Sequence, residues 1–261
     1  MDSLYYEVLK ALMIDGRTPK RRIASQIRVD PSSVEVRFRK MIYEGVIRRF
    51  ALYVDSSSLG LERVFASFKG LPESEVRKME SVVAYFTCAE GNTLLEITGR
   101  NRNENMRILK SLGEPLKVWV QPPSPNPLPT IDKAILARLS KDPRAKEFEL
   151  AESLKVSART IRRHLKHLKS KGIMRIVPIL DLSKAQGVMF TVHYRQPEVE
   201  KVVPDKPIWQ TTKEDWKVMN YFVRDLSEVR KVSEAVMSVD SKASINIETS
   251  YDIKVPIWAL R

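Results

Sequence analysis

Two predicted helices of this chain place cations and hydroxyl groups together on one face. Within residues 33–43 and 159–169, apolar side chains recur at intervals of three and four, which predicts an inward face for each helix. The opposite faces are rich in Arg, Lys, Ser and Thr, which can donate hydrogen bonds to the base edges and phosphates of a duplex. The inward residues are Val34, Phe38 and Met41 in the first helix and Ile161, Leu165 and Leu168 in the second.

Position along each helix sorts the outward residues into two roles, because the N-terminal residues of a recognition helix face bases and later cations face phosphates. The candidates for base contacts are Ser32, Ser33, Arg37, Arg159, Thr160 and Arg163. The candidates for phosphate contacts are Lys20, Arg21, Arg22, Arg39, Lys40, Arg48, Arg49, Arg162, Lys166 and Arg175. Two alternatives stay open: charged helix faces are common on ordinary solvated surface, and a three-helix module with a wing can bind protein.

Both helices belong to a repeat within the chain. Residues 3–60 align without a gap on residues 130–187, which lie 127 positions later. Conserved apolar positions with drifting surface residues indicate two copies of one small core. The identical pairs include Leu9 with Leu136, Leu12 with Leu139, Gly45 with Gly172 and Arg48 with Arg175.

Each copy is predicted to form three helices and a wing, the pattern of a winged helix-turn-helix whose third helix enters the major groove. In the first copy, Asp30 or Ser32 can cap the third helix, with Pro31 in its first turn. The predicted helices cover 3–15, 20–27 and 33–43 in the first copy and 131–140, 147–154 and 159–169 in the second. The predicted wings cover 46–54 and 173–180, as a strand pair or a single wing.

The segment after each copy is predicted to form a sheet. After the first copy, the strand and helix signals follow the βαββαβ order of ferredoxin-like domains. After the second copy this order is blurred, because residues 196–205 are too short and proline-rich for a full helix, so we expect a degenerate domain with a C-terminal tail. The fold class is therefore α+β, with two winged helix-turn-helix domains (1–60 and 130–187), two ferredoxin-like domains (61–121 and 188–261) and a proline-rich linker (122–129).

The linker carries five of the chain's prolines between positions 122 and 129 and contains no glycine. Such a composition favours polyproline II and predicts a semi-rigid spacer between the two halves.

The positive charge is concentrated in the repeated copies. Of the net charge of +13, residues 1–60 carry +4 (11 Lys/Arg against 7 Asp/Glu) and residues 128–187 carry +8 (14 against 6). The two intervening and following segments are close to neutral. We call the two repeated copies (1–60 and 130–187) the heads and the segments that follow them (61–121 and 188–261) the body domains. Two basic heads beside nearly neutral body domains predict a polyanionic partner.

Other features predict a cytoplasmic protein without a cofactor. The single cysteine, Cys88, excludes an intramolecular disulfide, favours a reducing compartment and is predicted to be a buried small hydrophobe. The first residues lack the pattern of a secretion leader, and no apolar run has the roughly 18–20 residues of a membrane span. Because no phosphate-binding glycine loop or nucleophile motif is visible, we expect no enzymatic activity.

Two runs carry a resemblance to a known family. Residues 24–60, ASQIRVDPSSVEVRFRKMIYEGVIRRFALYVDSSSLG, and residues 151–187 combine a helix-turn-helix with a Gly-[Val/Ile]-[Ile/Met]-Arg turn. Together with the βαββαβ segment, this pattern resembles the leucine-responsive/asparagine-regulator (Lrp/AsnC) family of bacterial and archaeal transcription factors. The chain would hold two tandem units where the usual member has one. The resemblance implies double-stranded DNA as partner.

The resemblance also implies a role for the body domains. In this family the C-terminal sheets pair into dimers and often bind an amino acid or similar small-molecule effector. We therefore expect a pseudo-dimer within one chain, with further homo-oligomerisation left open. The family's loop between the second and third strands usually reads Gly-x-Tyr/Phe-Asp; Gly91 matches it and Asn92 and Thr93 follow without the aromatic-acid pair. These three residues are the candidate effector loop.

The expected function is a sequence-specific DNA-binding transcription regulator whose two non-identical heads read an asymmetric operator. The alternative is a sequence-indifferent architectural or chromatin protein. A haem-pathway decarboxylase-like enzyme is a less favoured reading: such enzymes resemble this family in fold but would need a pocket of His, Arg and Tyr. The body domains contain His193 as their one histidine.

Overall fold

The structure, a computed structural model, describes residues 3–204, 206–213 and 216–260, with the backbone alone at 211–213 and 216.

The first head consists of three helices. Asp30 begins the third helix: its carboxylate accepts the backbone N–H of Ser32 at 2.7 Å, and Pro31 takes the first helical position. The helices are α1 (Ser3–Ile14), α2 (Lys20–Ile27) and α3 (Pro31–Tyr43), which confirms the predicted bounds to within two residues.

The second head repeats this arrangement. Ser157 caps its third helix, because the Ser157 hydroxyl accepts the backbone N–H of Thr160 at 3.0 Å. Ile135, Leu150 and Ile161 contribute one buried side chain from each helix to a common core. The helices are α6 (Thr130–Leu139), α7 (Glu147–Leu154) and α8 (Ala158–Ser170), again as predicted to within one residue.

The two heads share an unusual turn between their second and third helices. Arg28 and Lys155, 127 positions apart, adopt the left-handed conformation with φ of 57° and 54°, and within the described residues no other non-glycine residue has a positive φ. Each donates its backbone N–H to the residue four positions earlier, Ala24 or Ala151. The same backbone geometry therefore sets the direction of α3 and α8.

The wings differ from the expectation. Strands β1 (Ile47–Val54) and β6 (Met174–Leu180) form a two-stranded sheet with each other. Of the two alternatives predicted for 46–54, the strand pair is wrong, because the segment forms one strand, Ile47–Val54, without a turn. Each copy supplies one strand, and the other copy supplies its partner. Asp55 continues the pairing by donating its backbone N–H to the carbonyl of Ile173 at 2.8 Å.

The first sheet has the ferredoxin-like strand order β5-β2-β4-β3. Its central strand β2 pairs antiparallel with both neighbours, so that Phe65 lies opposite Glu96 on one side and Trp119 on the other. The elements are β2 (Arg63–Lys69), α4 (Glu73–Val76), β3 (Val82–Cys88), β4 (Asn92–Ile97), α5 (Arg102–Ser111) and β5 (Lys117–Gln121).

The second sheet has the equivalent order β10-β7-β9-β8, so it is less degenerate than the sequence predicts. The prolines do shorten its first helix to four residues, but the first helix of the other domain is equally short. The strand pattern therefore decides the fold and not the helix. The elements are β7 (Val188–Tyr194), α9 (Val199–Val202), β8 (Trp209–Lys213), β9 (Trp216–Val223), α10 (Leu226–Val239) and β10 (Ser244–Ile253).

The chain forms two compact units that do not follow the order of the repeat. The first unit contains Met1–Arg48, Thr87–Gly91 and Leu180–Ser250, and the second contains Arg49–Phe86, Asn92–Ile179 and Tyr251–Arg261. In the first unit, α1 packs on the second sheet: the rings of Tyr6 and Phe222 stack at 5.7 Å, and the Tyr6 hydroxyl donates to the Phe222 carbonyl at 3.1 Å. Each unit thus combines residues from both halves of the sequence.

A buried charge network organises the second unit. The guanidinium of Arg63 donates to Glu96 at 2.7 Å, to Asp55 at 2.8 Å and to Gln121 at 2.8 Å. Burial alone would lower the pKa of Arg63, but the carboxylates of Glu96 and Asp55 outweigh it and raise that pKa. The network joins the end of β1 to three strands of the first sheet.

The proline-rich segment contains no helix or strand, and Pro129 has φ −57° and ψ 153°, close to polyproline II. It is attached to the second unit and not suspended as a spacer. The backbone N–H groups of Ser124 and Leu128 donate to the carbonyls of Ser57 and Ser58 at 2.9 and 3.0 Å. None of the helices in the described ranges combines the length and apolar character that crossing a bilayer requires.

Candidate nucleic-acid interface

The N-terminus of α3 carries the first set of predicted base contacts. Ser32 is exposed, and Ser33 and Arg37 are half-buried. Hydrogen bonds from the Ser32 side chain and backbone hold the pKa of Asp30 below its ordinary value, so this cap carries a full negative charge at neutral pH. A capped N-terminus gives Ser32 and Ser33 a fixed position at the start of the helix.

One acidic residue forms ion pairs with two cations of the first head. Glu35 on α3 accepts a hydrogen bond from Lys20 on α2 and another from Arg39 at 2.7 Å. These two bonds hold the pKa of Glu35 below its ordinary value. Two predicted phosphate contacts therefore share one carboxylate, and Lys40 lies 3.8 Å from Glu44. Arg21 and Arg22 are exposed on α2.

The outward face of α8 is more strongly positive. Arg159, Arg163 and Lys166 are exposed, and no carboxylate in the described part of the chain lies within ion-pair distance of them. Arg162 is paired with Glu147 on α7 at 2.9 Å. Thr160 is half-buried and its hydroxyl lies 2.9 Å from that of Ser157, so it forms part of the helix cap.

His164 on α8 contacts the first helix of its own head and is not part of the exposed basic face. Its Nδ1 lies 2.7 Å from the carboxylate of Asp132 on α6, and its side chain is 18% exposed. The sequence contains no signal for this contact, because the two residues are 32 positions apart and belong to different helices.

The predicted phosphate contacts on the wings have acidic partners or partial cover. Arg48 lies 3.0 Å from Asp181, whose pKa is held low by hydrogen bonds from Ser183 and then from Arg48. Arg49 donates to Asp252 and, at 3.1 Å, to the carbonyl of Ile253. Arg175 is half-buried. The wings therefore offer less unpaired positive charge than α8 does.

Comparison with known proteins assigns the family. A family model described as winged helix-turn-helix DNA-binding matches residues 128–173. The regulatory protein AsnC of Haemophilus influenzae is 30% identical over 107 residues, which cover 37% of this chain and 71% of that protein. The chain belongs to the Lrp/AsnC family.

Two further comparisons describe the extent of the similarity. The HTH-type transcriptional regulator FL11 of Pyrococcus horikoshii is 27% identical over 121 residues, or 43% of this Lrp/AsnC chain and 80% of that protein. The crystal structure of the siroheme decarboxylase NirDL covers 97% of this chain and 93% of its own, at 16% identity and a TM-score of 0.49. The two curated relatives thus align with less than half of this Lrp/AsnC protein.

The candidate effector loop of this Lrp/AsnC chain lies after β3. Gly91 has φ 76°, a conformation that suits glycine, and Asn92 begins β4. Thr93 is buried, and its hydroxyl donates to the Leu71 carbonyl at 2.9 Å. Its hydroxyl is therefore engaged within the fold. The described residues contain no group of three or more His, Cys, Asp or Glu side chains that could hold a metal ion.

Cys88 is buried, as predicted. Burial, together with the nearby carboxylates of Glu248 and Glu90, raises the pKa of its thiol to about 12. A thiol with so high a pKa is protonated at neutral pH, so Cys88 packs as a small hydrophobe.

Proposed function

We propose that this protein is a non-enzymatic transcription regulator that binds double-stranded DNA in a sequence-specific manner. The observation that carries the proposal is the exposed basic face of α8, whose Arg159, Arg163 and Lys166 project from a capped recognition helix. Membership of the Lrp/AsnC family supports the same function. A cytoplasmic location is consistent with it.

The proposal assigns roles along the two recognition helices. Ser32, Ser33 and Arg37 on α3, and Arg159, Thr160 and Arg163 on α8, contact base edges. The predicted cations of α2, α3, α8 and the wings contact phosphates. Because α3 carries Glu35 among its cations and α8 carries none, the two heads bind half-sites of different sequence, so the operator is asymmetric.

The body domains complete the proposal. We infer that they pair within one chain as a pseudo-dimer, which raises the effective concentration of one head relative to the other. Gly91, Asn92 and Thr93 are retained as the candidate loop for an amino-acid effector. Any further homo-oligomer would form through surfaces outside this pairing.

Selection of bound fragments from a genomic DNA library tests the proposal. We expect enrichment of a non-palindromic motif and a large preference for it over random duplex. With about 8–10 phosphate contacts, the logarithm of the association constant falls against the logarithm of salt concentration with a slope of about −7 to −9. A slope shallower than about −3 indicates that one head alone binds.

The same experiment separates the architectural alternative, which the exposed cations of α2 and α8 also support. Equal affinity for the enriched motif and for random duplex at matched salt concentration identifies a sequence-indifferent binder. Absence of duplex binding even at low ionic strength contradicts both readings.

A further inference from the structure

The second unit contains a large cleft outside both recognition helices. Its volume is about 810 Å³, which lies within the range of small-molecule sites. The walls are β1, the segment after α4, the turn between α6 and α7, and the C-terminal segment. We name it the basic cleft; its main lining residues are Arg49, Phe50, Lys78, Lys141, Lys254 and Trp258.

The lining of the basic cleft is predominantly positive. Four cations line it, and Glu80 is the one carboxylate among its lining residues. Arg49 is anchored by Asp252 and by the carbonyl of Ile253, which fixes its guanidinium at the cleft wall. Lys78 and Lys141 are exposed. Because Arg49 is already paired with Asp252, the positive charge that an entering anion meets comes mainly from Lys78, Lys141 and Lys254.

Lys254 is partly removed from water at the wall of the basic cleft. Its ammonium is half-buried and donates to the Arg77 carbonyl. Burial lowers the pKa of Lys254, the carboxylates of Asp252 and Glu80 oppose this shift, and the charges of Arg77 and Arg49 add to it. A bound carboxylate or phosphate would stabilise the charged ammonium and remove part of this cost.

The remaining wall of the cleft is apolar and aromatic. Phe50 and Trp258 are half-buried, and each has an arginine near its ring: Arg144 lies 4.6 Å from the Phe50 centroid and Arg100 lies 5.7 Å from that of Trp258. Leu52 connects this wall to the core of the second head. Flat rings beside cations suit a ligand that has an aromatic body and acidic groups.

We propose that the basic cleft binds a small aromatic molecule that carries two or more anionic groups. The cleft includes Ser140, Lys141 and Pro143 of the turn between α6 and α7, so the ligand contacts the second head directly. It lies apart from the candidate effector loop, none of whose three residues lines it.

A titration of the whole protein with naphthalene-2,6-dicarboxylate, in the absence of DNA, tests this site. We expect saturable binding by calorimetry below about 1 mM, and at least about tenfold weaker binding of the neutral analogue naphthalene-2,6-dimethanol. Lys141→Gln and Lys254→Gln should each weaken the binding of the dicarboxylate by about fivefold to tenfold.

Lys110→Gln is the matched control, because it removes an exposed charge from α5 of the same unit, outside the cleft. An equal loss in Lys110→Gln, equal binding of the neutral analogue, or no saturation overturns the proposal. Lys141 is exposed, so its variant retains the fold, which circular dichroism verifies. Because no duplex is present, the outcome does not depend on the proposed DNA binding.

Discussion

The carboxylate of Asp132 lies 2.7 Å from Nδ1 of His164, and this contact links the first helix of the second head to its recognition helix. Asp132 is 2% exposed and the His164 side chain is 18% exposed, so the carboxylate is buried and the imidazole is partly buried. A short polar contact between two helices has a defined direction, whereas apolar packing tolerates sliding. The contact therefore fixes the orientation of α8 relative to α6.

Replacement of Asp132 tests this positioning role. Asp132→Ala leaves the partly buried imidazole without its acceptor and should lower the free energy of unfolding by about 1–3 kcal/mol. Asp132→Asn retains a polar partner for the imidazole and should lower the free energy of unfolding by less. Urea unfolding of both variants, with the exposed Glu152→Ala as control, measures the difference. Equal stability of Asp132→Ala and wild type would show that the pair does not hold the helix.

Glu35 is expected to limit the affinity of the first head for DNA. Glu35→Gln releases Lys20 and Arg39 from their shared carboxylate and removes one negative charge from α3. Binding to random duplex should become about twofold to fivefold tighter, and the salt dependence should steepen by about one unit of slope. Fluorescence anisotropy across a salt series measures both quantities. The exposed Glu75→Gln, on α4, should change neither; a similar gain there would indicate a general charge effect.

Arg163 and Lys166 are both exposed on α8, but their substitutions should affect DNA binding in different ways. Arg163→Ala should weaken the preferred sequence by about 1–3 kcal/mol and relax discrimination at one base pair. Lys166→Ala should weaken all sequences alike and reduce the salt slope by about one. Competition binding with single-base operator variants distinguishes them. Identical specificity profiles for the two substitutions would contradict the assignment of Arg163 to a base.

Glu248 on β10 predicts a pH dependence of stability in the first unit. It accepts hydrogen bonds from Thr191 and, at 2.7 Å, from Asn220, but burial outweighs them and raises its pKa to about 8. The folded state therefore holds a proton that the unfolded state releases above its ordinary value of 4.5. The stability that Glu248 contributes in its protonated form is fully present below about pH 4.5 and is lost as the pH rises through about 8.

Glu248→Gln should remove that dependence, because the amide stays neutral at every pH. The free energy of unfolding of the wild type should fall by on the order of a few kcal/mol between pH 5 and pH 8.5, relative to that of the variant. Urea unfolding at several pH values, with the exposed Glu234→Gln as control, provides the test. Parallel curves for wild type and Glu248→Gln would contradict a protonated Glu248. The nearby Cys88 contributes no titration in this range, since the pKa of its thiol is about 12.

Local patterns in the sequence predicted the elements well. Apolar spacing located all six helices of the two heads, and Asp30, one of the two capping candidates, does accept a backbone N–H group. These features depend on neighbours within a few positions, which is the range over which a sequence pattern carries information. The left-handed Arg28 and Lys155 escaped notice because glycine or asparagine is the usual occupant of that conformation.

Long-range relationships were not predictable in the same way. The pairing of β1 with β6, the contact of Tyr6 with Phe222 and the buried network around Arg63 join residues that are far apart in the chain. A single sequence shows which side chains seek burial but not which partner they find. For the same reason the basic cleft has no sequence signature, because its walls come from four separate segments.

The exchange of segments between the two units has a consequence for any attempt to divide the gene. A cut at 122–129 would leave both fragments with incomplete cores, since each unit draws on residues from before and after that point. The N-terminal fragment would expose the surface of Tyr6 that Phe222 covers in the intact chain. The fragments should therefore be insoluble apart and regain structure by complementation when they are mixed.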